Sequence, residues 1–273
     1  MLHARTLLGR DGLTVSDVAC HHRAGRGAAG EQTRGWALVL VRRGCFARTA
    51  DGAHTVLDPT MAYTLRPGEE ERYDHPHDAG DDCTSIGLSE ELVASLRGGD
   101  GLPAGALAVD GAADVRHRLL LSSLERREDP DDAWERAVGL CASVLERVDA
   151  ARPSSASASR RPATRATRRA LVDGAREALA ADHDLSLLDL ARTLGTSPHH
   201  LSRVFCAATG HSVARHRMRL RTRSALERLA GGETDLARLA FETGFADQSH
   251  LTRVVKDETG GATPAALRAA LHG

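Results

Sequence analysis

Two stretches of this 273-residue sequence place hydrogen-bonding side chains at helical spacing in similar frames. The first is LGTSPHHLSRVFCAATGHS, residues 194–212; the second, fifty residues on, is GFADQSHLTRVVKDETGGATP, residues 244–264. Each has a Gly, a short polar turn, Leu-x-Arg and, six residues later, another Gly. On a helix, the positions left exposed in the first copy are Pro198, His199, Ser202, Arg203 and Cys206. In the second they are Gln248, Ser249, His250, Thr252, Arg253 and Lys256. Arg can donate two bonds to guanine, Gln can pair with adenine, and Ser, Thr and His reach base edges or phosphates. Carboxylates are nearly absent from both faces until Asp257 and Glu258, and Asp247 stands where an N-cap is expected. The chemistry offered is readout of a base sequence.

A second constellation lies in PGEEERYDHPHDAGDDC, residues 67–83. His75, His77, Asp81 and Cys83 are metal-ligand types, and Cys20-His21-His22 could add donors from near the N-terminus. His75 and His77 would share a face on a strand, but Pro76 makes an irregular turn equally compatible. A solvated His-Pro loop is the competing reading. Paired catalytic carboxylates, a Ser-His-Asp set and a phosphate loop are all missing, so neither an enzyme nor a cofactor is expected.

Both sets need elements to position them. Downstream of residue 168 every segment reads helical: RRALVDGAREALAAD, SLLDLARTLG, SPHHLSRVFCAATG, SVARHRMRLRTRSALERLAGG, TDLARLAFETG, DQSHLTRVVKDETG and TPAALRAALHG. Ser186 and Ser197 are predicted N-caps, Pro198 a first helical residue, and Gly195 and Gly210 stops. Leu187, Leu190, Ala191 and Leu194 should face Leu201, Val204 and Phe205. Leu236, Leu239, Ala240 and Phe245 should face Leu251, Val254 and Val255. Two short helix pairs joined by a helix of about 18 residues, or about 27 Å, are a tandem helix-turn-helix. That helix carries Arg215, Arg217, Arg219, Arg221 and Arg223, which cannot all share one face, so some must pair with acids or pack.

Residues 36–88 instead alternate short apolar runs with turn chemistry, as in WALVLVRRG, CFARTADG, HTVLD, MAYTLRPGE and CTSIGLS, which predicts an antiparallel sandwich or small barrel. Residues 112–150 read as a helical hairpin that packs on its own sheet or supplies a homodimer interface. The stretch ARPSSASASRRPATRAT (151–167) reads as a linker. It coincides with a change of charge. Residues 1–150 carry 17 Arg against 25 acids (17 − 25 = −8), and 151–273 carry 19 basic residues against 12 acids (19 − 12 = +7), inside a formal net charge of −1. A basic half suits a polyanion; alternatively, the two halves pack on one another. The expected organisation is 1–150, linker 151–167 and 168–273. Five scattered cysteines without a CxxC pair suit a reducing cytoplasm, and no membrane span or signal peptide is expected.

The C-terminal 105 or so residues resemble the AraC/XylS family of bacterial transcription regulators. The resemblance rests on LSLLDLARTLGTSPHHLSRVF…TGHS and on TDLARLAFETGFADQSHLTRVVKDETGGATPAALR, with Gly244–Ser249 and Gly260–Pro264 matching the family's Gly-Phe-x-Asp-x-Ser and closing Gly-x-x-Thr-Pro. It implies an α+β two-domain protein: an N-terminal β-rich cupin-like domain with a helical hairpin, for sensing or dimerisation, then an all-α domain with tandem helix-turn-helix motifs. It also implies double-stranded DNA, RNA polymerase and an unidentified small-molecule effector as partners, with the chain at the nucleoid. The DNA-facing residues carried over are His199, Ser202, Arg203, Gln248, Ser249, His250, Thr252 and Arg253. Arg-x-Phe-Lys is common in both family copies; here they read Arg-Val-Phe-Cys and Arg-Val-Val-Lys, and Cys206 cannot replace a phosphate-binding Lys. Gly68, His75, His77 and Asp81 come near the cupin metal pattern, with a spacer one residue too long and Asp for Glu. A cupin-type metal-binding sensor or metalloenzyme using His75, His77 and Asp81 is the alternative.

Overall fold

The computed structural model describes residues 2–21, 25–26, 30–75, 80–150 and 162–272. Two antiparallel sheets form the N-terminal half. One has six strands in the order β1-β2-β10-β5-β8-β11: β1 (Leu2–Arg10), β2 (Leu13–Cys20), β10 (Asp81–Leu88), β5 (Trp36–Arg43), β8 (Met61–Leu65) and β11 (Ala106–Ala108). The other runs β3 (Gly25–Arg26), β9 (Glu70–His75), β6 (Phe46–Ala50) and β7 (Ala53–Leu57), with β4 (Glu31–Gln32) also paired to β9. Strand β5 shows how the layers form. Ala37, Val39 and Val41 join Phe46, Leu57 and Tyr63 between the sheets, while Leu38 and Leu40 face a helical layer on the other side. Burial on both faces explains why WALVLV is a continuous apolar run and not an alternating one.

That helical layer is α1 (Glu90–Arg97), α2 (Gly111–Glu125) and α3 (Pro130–Ala150). Ala133, Ala137, Leu140, Cys141, Val144 and Leu145 of α3 are all buried against the sheet and α2. The predicted hairpin is present and packs on its own sheet. No large hydrophobic residue of α2 or α3 is exposed among the described residues.

The C-terminal half is all helix: α4 (Pro162–Ala181), α5 (Leu187–Thr193), α6 (Pro198–Thr209), α7 (Val213–Ala230), α8 (Leu236–Glu242), α9 (Gln248–Thr259) and α10 (Pro264–His272). It holds two cores. Leu190, Ala191, Leu201, Val204 and Phe205 close the first, with α4 and the start of α7; Leu239, Ala240, Phe245, Leu251 and Val255 close the second, with the end of α7. The facing residues read from the sequence are the ones that meet. The linker reading needs correcting at its end, because α4 begins at Pro162 and residues 162–167 are helical. Residues 151–161 lie outside the described residues.

The two halves dock. Asp58, fully buried in the β7–β8 turn, lies 2.7 Å from Arg176 of α4 and 3.2 Å from His216 of α7. Burial alone would raise the Asp58 pKa; His216 and Arg176 outweigh it and hold the carboxyl below the usual carboxylate range. Arg118 of α2 pairs with Glu227, and Arg223 reaches Asp114 at 3.1 Å and the carbonyl of Val109 at 2.7 Å. The opposite charges of the halves are therefore partly spent on each other.

Candidate nucleic-acid interface

Each helix-turn-helix is fixed at its ends by the residues the sequence singled out. The Ser186 hydroxyl accepts from Asp189 N, that of Ser197 from His200 N, and the Asp247 carboxylate from His250 N at 2.7 Å. Pro198 opens α6, and Gly210 closes it at φ 76°. Capping of this kind contributes about 1 kcal/mol per helix and sets where the exposed face begins. Ala191 and Ala240, 1% and 0% exposed, sit in the cores where a larger side chain would hold the helices apart.

The face of α6 presents His199, Ser202, Arg203 and Cys206; that of α9 presents Gln248, Ser249, Thr252, Arg253 and Lys256. His199, Arg203, Gln248, Ser249, Arg253 and Lys256 are exposed, and Ser202 and Thr252 half-buried. A shallow depression on α9 is lined by Gln248, Ser249, Thr252, Arg253, Lys256 and Asp257. No hydrogen bond or ion pair from the side chains of Gln248, Arg253 or Lys256 is present among the described residues. Arg203 leans on His200, its Nη2 3.3 Å from that ring. Neighbouring arginines are neutralised instead: Arg192 by Asp189, Arg238 by Glu233, and Arg215 by Glu258 at 3.2 Å. On these two faces, the cations without a carboxylate partner among the described residues are Arg203, Arg253 and Lys256.

His250 is more committed than its neighbours. Its Nδ1 accepts from Ala246 N at 3.2 Å and its ring stands edge-on to Phe245. It anchors the turn before α9, leaving only the Nε2 side for a ligand.

The alternating arginines of α7, Arg215 to Arg223, diverge as helical geometry requires. Arg217 donates to the Leu185 carbonyl and Arg221 to that of Gly244, bracing the two helix pairs against the joining rod. Arg219 and Arg223 turn to the N-terminal half and share the Val109 carbonyl. With His216 and Glu227 they form a stripe at steps of three and four that the sequence alone did not distinguish from the other face.

The metal-ligand types are also partly gathered. His75 Nε2 lies 2.7 Å from Asp81 Oδ1, and Cys83 Sγ 3.5 Å from Asp81 Oδ2. His75 ends a regular strand, β9; residues 76–79, on which the His-Pro loop reading falls, lie outside the described residues. His22 and His77 lie outside the described residues.

Residues 190–270 match the family model of a helix-turn-helix domain. No curated protein matches. Among solved structures, ToxT from Vibrio cholerae O395 aligns over 97% of this chain and 100% of its own at 12% identity and TM-score 0.40. ToxT from V. cholerae strain SCE256 with unsaturated fatty acid bound aligns over 94% and 95% at 12% identity and TM-score 0.37. A cupin superfamily protein from Desulfitobacterium hafniense DCB-2 aligns over 33% of this chain and 79% of its own, at 17% identity and TM-score 0.28.

Proposed function

We propose that this chain, whose C-terminal domain is a helix-turn-helix domain of the AraC type, is a transcription regulator that reads duplex DNA with α6 and α9 in successive major grooves. The observation that carries the reading is the pair of uncommitted polar faces, held by one continuous 18-residue helix. At 1.5 Å per residue that rod is about 27 Å long, comparable to the roughly 34 Å between successive major-groove faces. His199, Ser202 and Arg203 would read one half-site; Gln248, Ser249, Thr252 and Arg253 would read the other, with His250 chiefly holding the turn. Lys256 supplies a phosphate contact that Cys206 does not, which makes the second half-site the stronger.

The N-terminal cupin-like domain grips α4, α7 and the end of α9, so an effector that alters this domain has a direct hold on the DNA-binding half. A small-molecule effector acting there, and RNA polymerase as the partner on the promoter, complete the proposed role. The test is selection of bound sequences from random duplex DNA by the full-length protein at physiological salt. Two enriched half-sites about ten base pairs apart are expected. Retention of DNA with no enriched sequence would replace readout by simple charge attraction.

A further inference from the structure

We propose that Cys20, His75 and Asp81 form a binding site for a divalent transition metal of the Zn²⁺ kind inside the N-terminal domain. The site is separate from the DNA-facing surface and does not rest on the DNA-binding reading.

Three strands bring the donors together. Cys20 ends β2, His75 ends β9 and Asp81 begins β10. One ligand atom from each residue, sulfur, imidazole nitrogen and carboxylate oxygen, lies within 4.8 Å of the other two. All three residues are buried, at 5%, 7% and 6% exposure. Register is the reason. Cys20 is directly opposite Asp81 in the β2–β10 ladder, so their side chains share a face. Gly80 tightens that corner, since a Cβ there would overlap the Cys20 carbonyl oxygen and lie 3.5 Å from its carbon. Cys83, two residues along β10, shares the Asp81 face and holds the second carboxylate oxygen. The Phe46 ring, 6.0 Å from that of His75, closes the site on the apolar side.

The donor set is what Zn²⁺ selects: a soft thiolate, an imidazole and a carboxylate, all shielded from water. Tetrahedral bonds of about 2.0–2.3 Å put donors roughly 3.3–3.8 Å apart. The His75–Asp81 hydrogen bond must therefore open slightly and the thiol swing in, which are side-chain adjustments. This set differs from the His75, His77 and Asp81 pattern legible in the sequence, because β2 supplies a sulfur. Binding displaces the Cys20 thiol proton to solvent and needs the His75 ring proton on Nδ1, so that Nε2 carries the lone pair.

The experiment uses reduced, chelator-treated full-length protein titrated with Co²⁺ alone. The expected result is one equivalent bound, with a sulfur-to-cobalt charge-transfer band, tetrahedral d–d absorption, and loss of both on adding Zn²⁺. Cys20→Ser should abolish the charge-transfer band and weaken binding by more than about 100-fold, beyond the effect of losing a supporting contact. Cys83→Ser should keep the band. Circular dichroism checks the fold of each variant; if Cys20→Ser does not fold, survival of the band in Cys83→Ser decides. Cobalt bound without a sulfur band, or a band that survives Cys20→Ser and vanishes in Cys83→Ser, would overturn the assignment. DNA selection is read separately, so neither result stands in for the other.

Discussion

Gly111, the first residue of α2, is where the N-terminal domain rests its backbone on α9. A Cβ at this position would lie 2.5 Å from the Glu258 carbonyl carbon, overlap its oxygen, and come within 3.2 Å of Thr259 N. Every one of these atoms is main chain, so no rotamer change relieves the overlap. Restoring an ordinary carbon–carbon distance of about 3.5 Å requires the two helices to part by about 1 Å. The adjacent Val109 carbonyl accepts from Arg223 at 2.7 Å and Arg219 at 2.9 Å. A shift of about 1 Å carries both past hydrogen-bond range. Two bonds to charged donors are worth about 3–6 kcal/mol, and the better helix propensity of Ala returns about 1 kcal/mol. Long Arg side chains follow part of the movement, so we take the lower end, about 2 kcal/mol, or roughly 30-fold in the docking equilibrium. Gly111→Ala should therefore lower hydrogen-exchange protection in α2 and the end of α9 by about that factor. It should also split thermal unfolding into two transitions while leaving the sheets' own protection unchanged. Wild-type protection at α2 with a single unshifted transition would show that the close approach does not hold the domains together.

Other substitutions probe the reading from different sides. Arg253→Ala should weaken specific binding by about 1–3 kcal/mol and relax preference at one base pair, as read by competition among variant duplexes; unchanged preference would remove Arg253 from the readout. Cys206→Lys should restore the missing phosphate contact and steepen the salt dependence of binding by about one in log–log slope. An unaltered slope would place position 206 off the backbone. Burial lowers the pKa of His117 to about 3, and its Nε2 has no hydrogen-bond partner. The unfolded chain takes up this proton below about pH 6.5 while the folded chain does not, so folding loses stability as pH falls. His117→Leu removes that penalty and should gain about 2 kcal/mol relative to wild type between pH 7 and pH 5 in denaturant melts. A pH-independent difference would mean that His117 is protonated in the folded protein.

How far the fold could be read depended on the range of the interactions involved. Capping residues such as Ser197 and Asp247 act within four positions, and both motifs came out of the sequence with their ends correct. Strands β1 and β2 did not. Residues 2–20 mix polar and apolar types because β1 lies at the sheet edge with mostly exposed side chains, which weakens alternation as a signal. EERYDH likewise hid a strand behind its charges, since Glu69 and Glu71 are neutralised by the buried Arg48 between the sheets, at 2.8 and 2.9 Å. Packing of the oppositely charged halves was one of two readings the charge balance allowed, and the residues that make the contact were not legible. Asp58 and Arg176 are 118 positions apart, and no local pattern marks either as a partner. For the candidate interface, the residue types and spacing were visible. The separation of committed residues such as His250 and Arg215 from free ones such as Arg253 needed coordinates.

The stripe of His216, Arg219, Arg223 and Glu227 gives α7 the character of a ruler held along its length. Its first half belongs to one helix-turn-helix core and its second half to the other, so tilting or bending it changes where the second reading head lands. One base pair of half-site spacing is roughly a tenth of a turn around the duplex. On the proposed function, a domain clamped along such a ruler would do more than switch binding on or off: it would set the phase, and a change in its grip would move preference between operators whose half-sites differ by a single step.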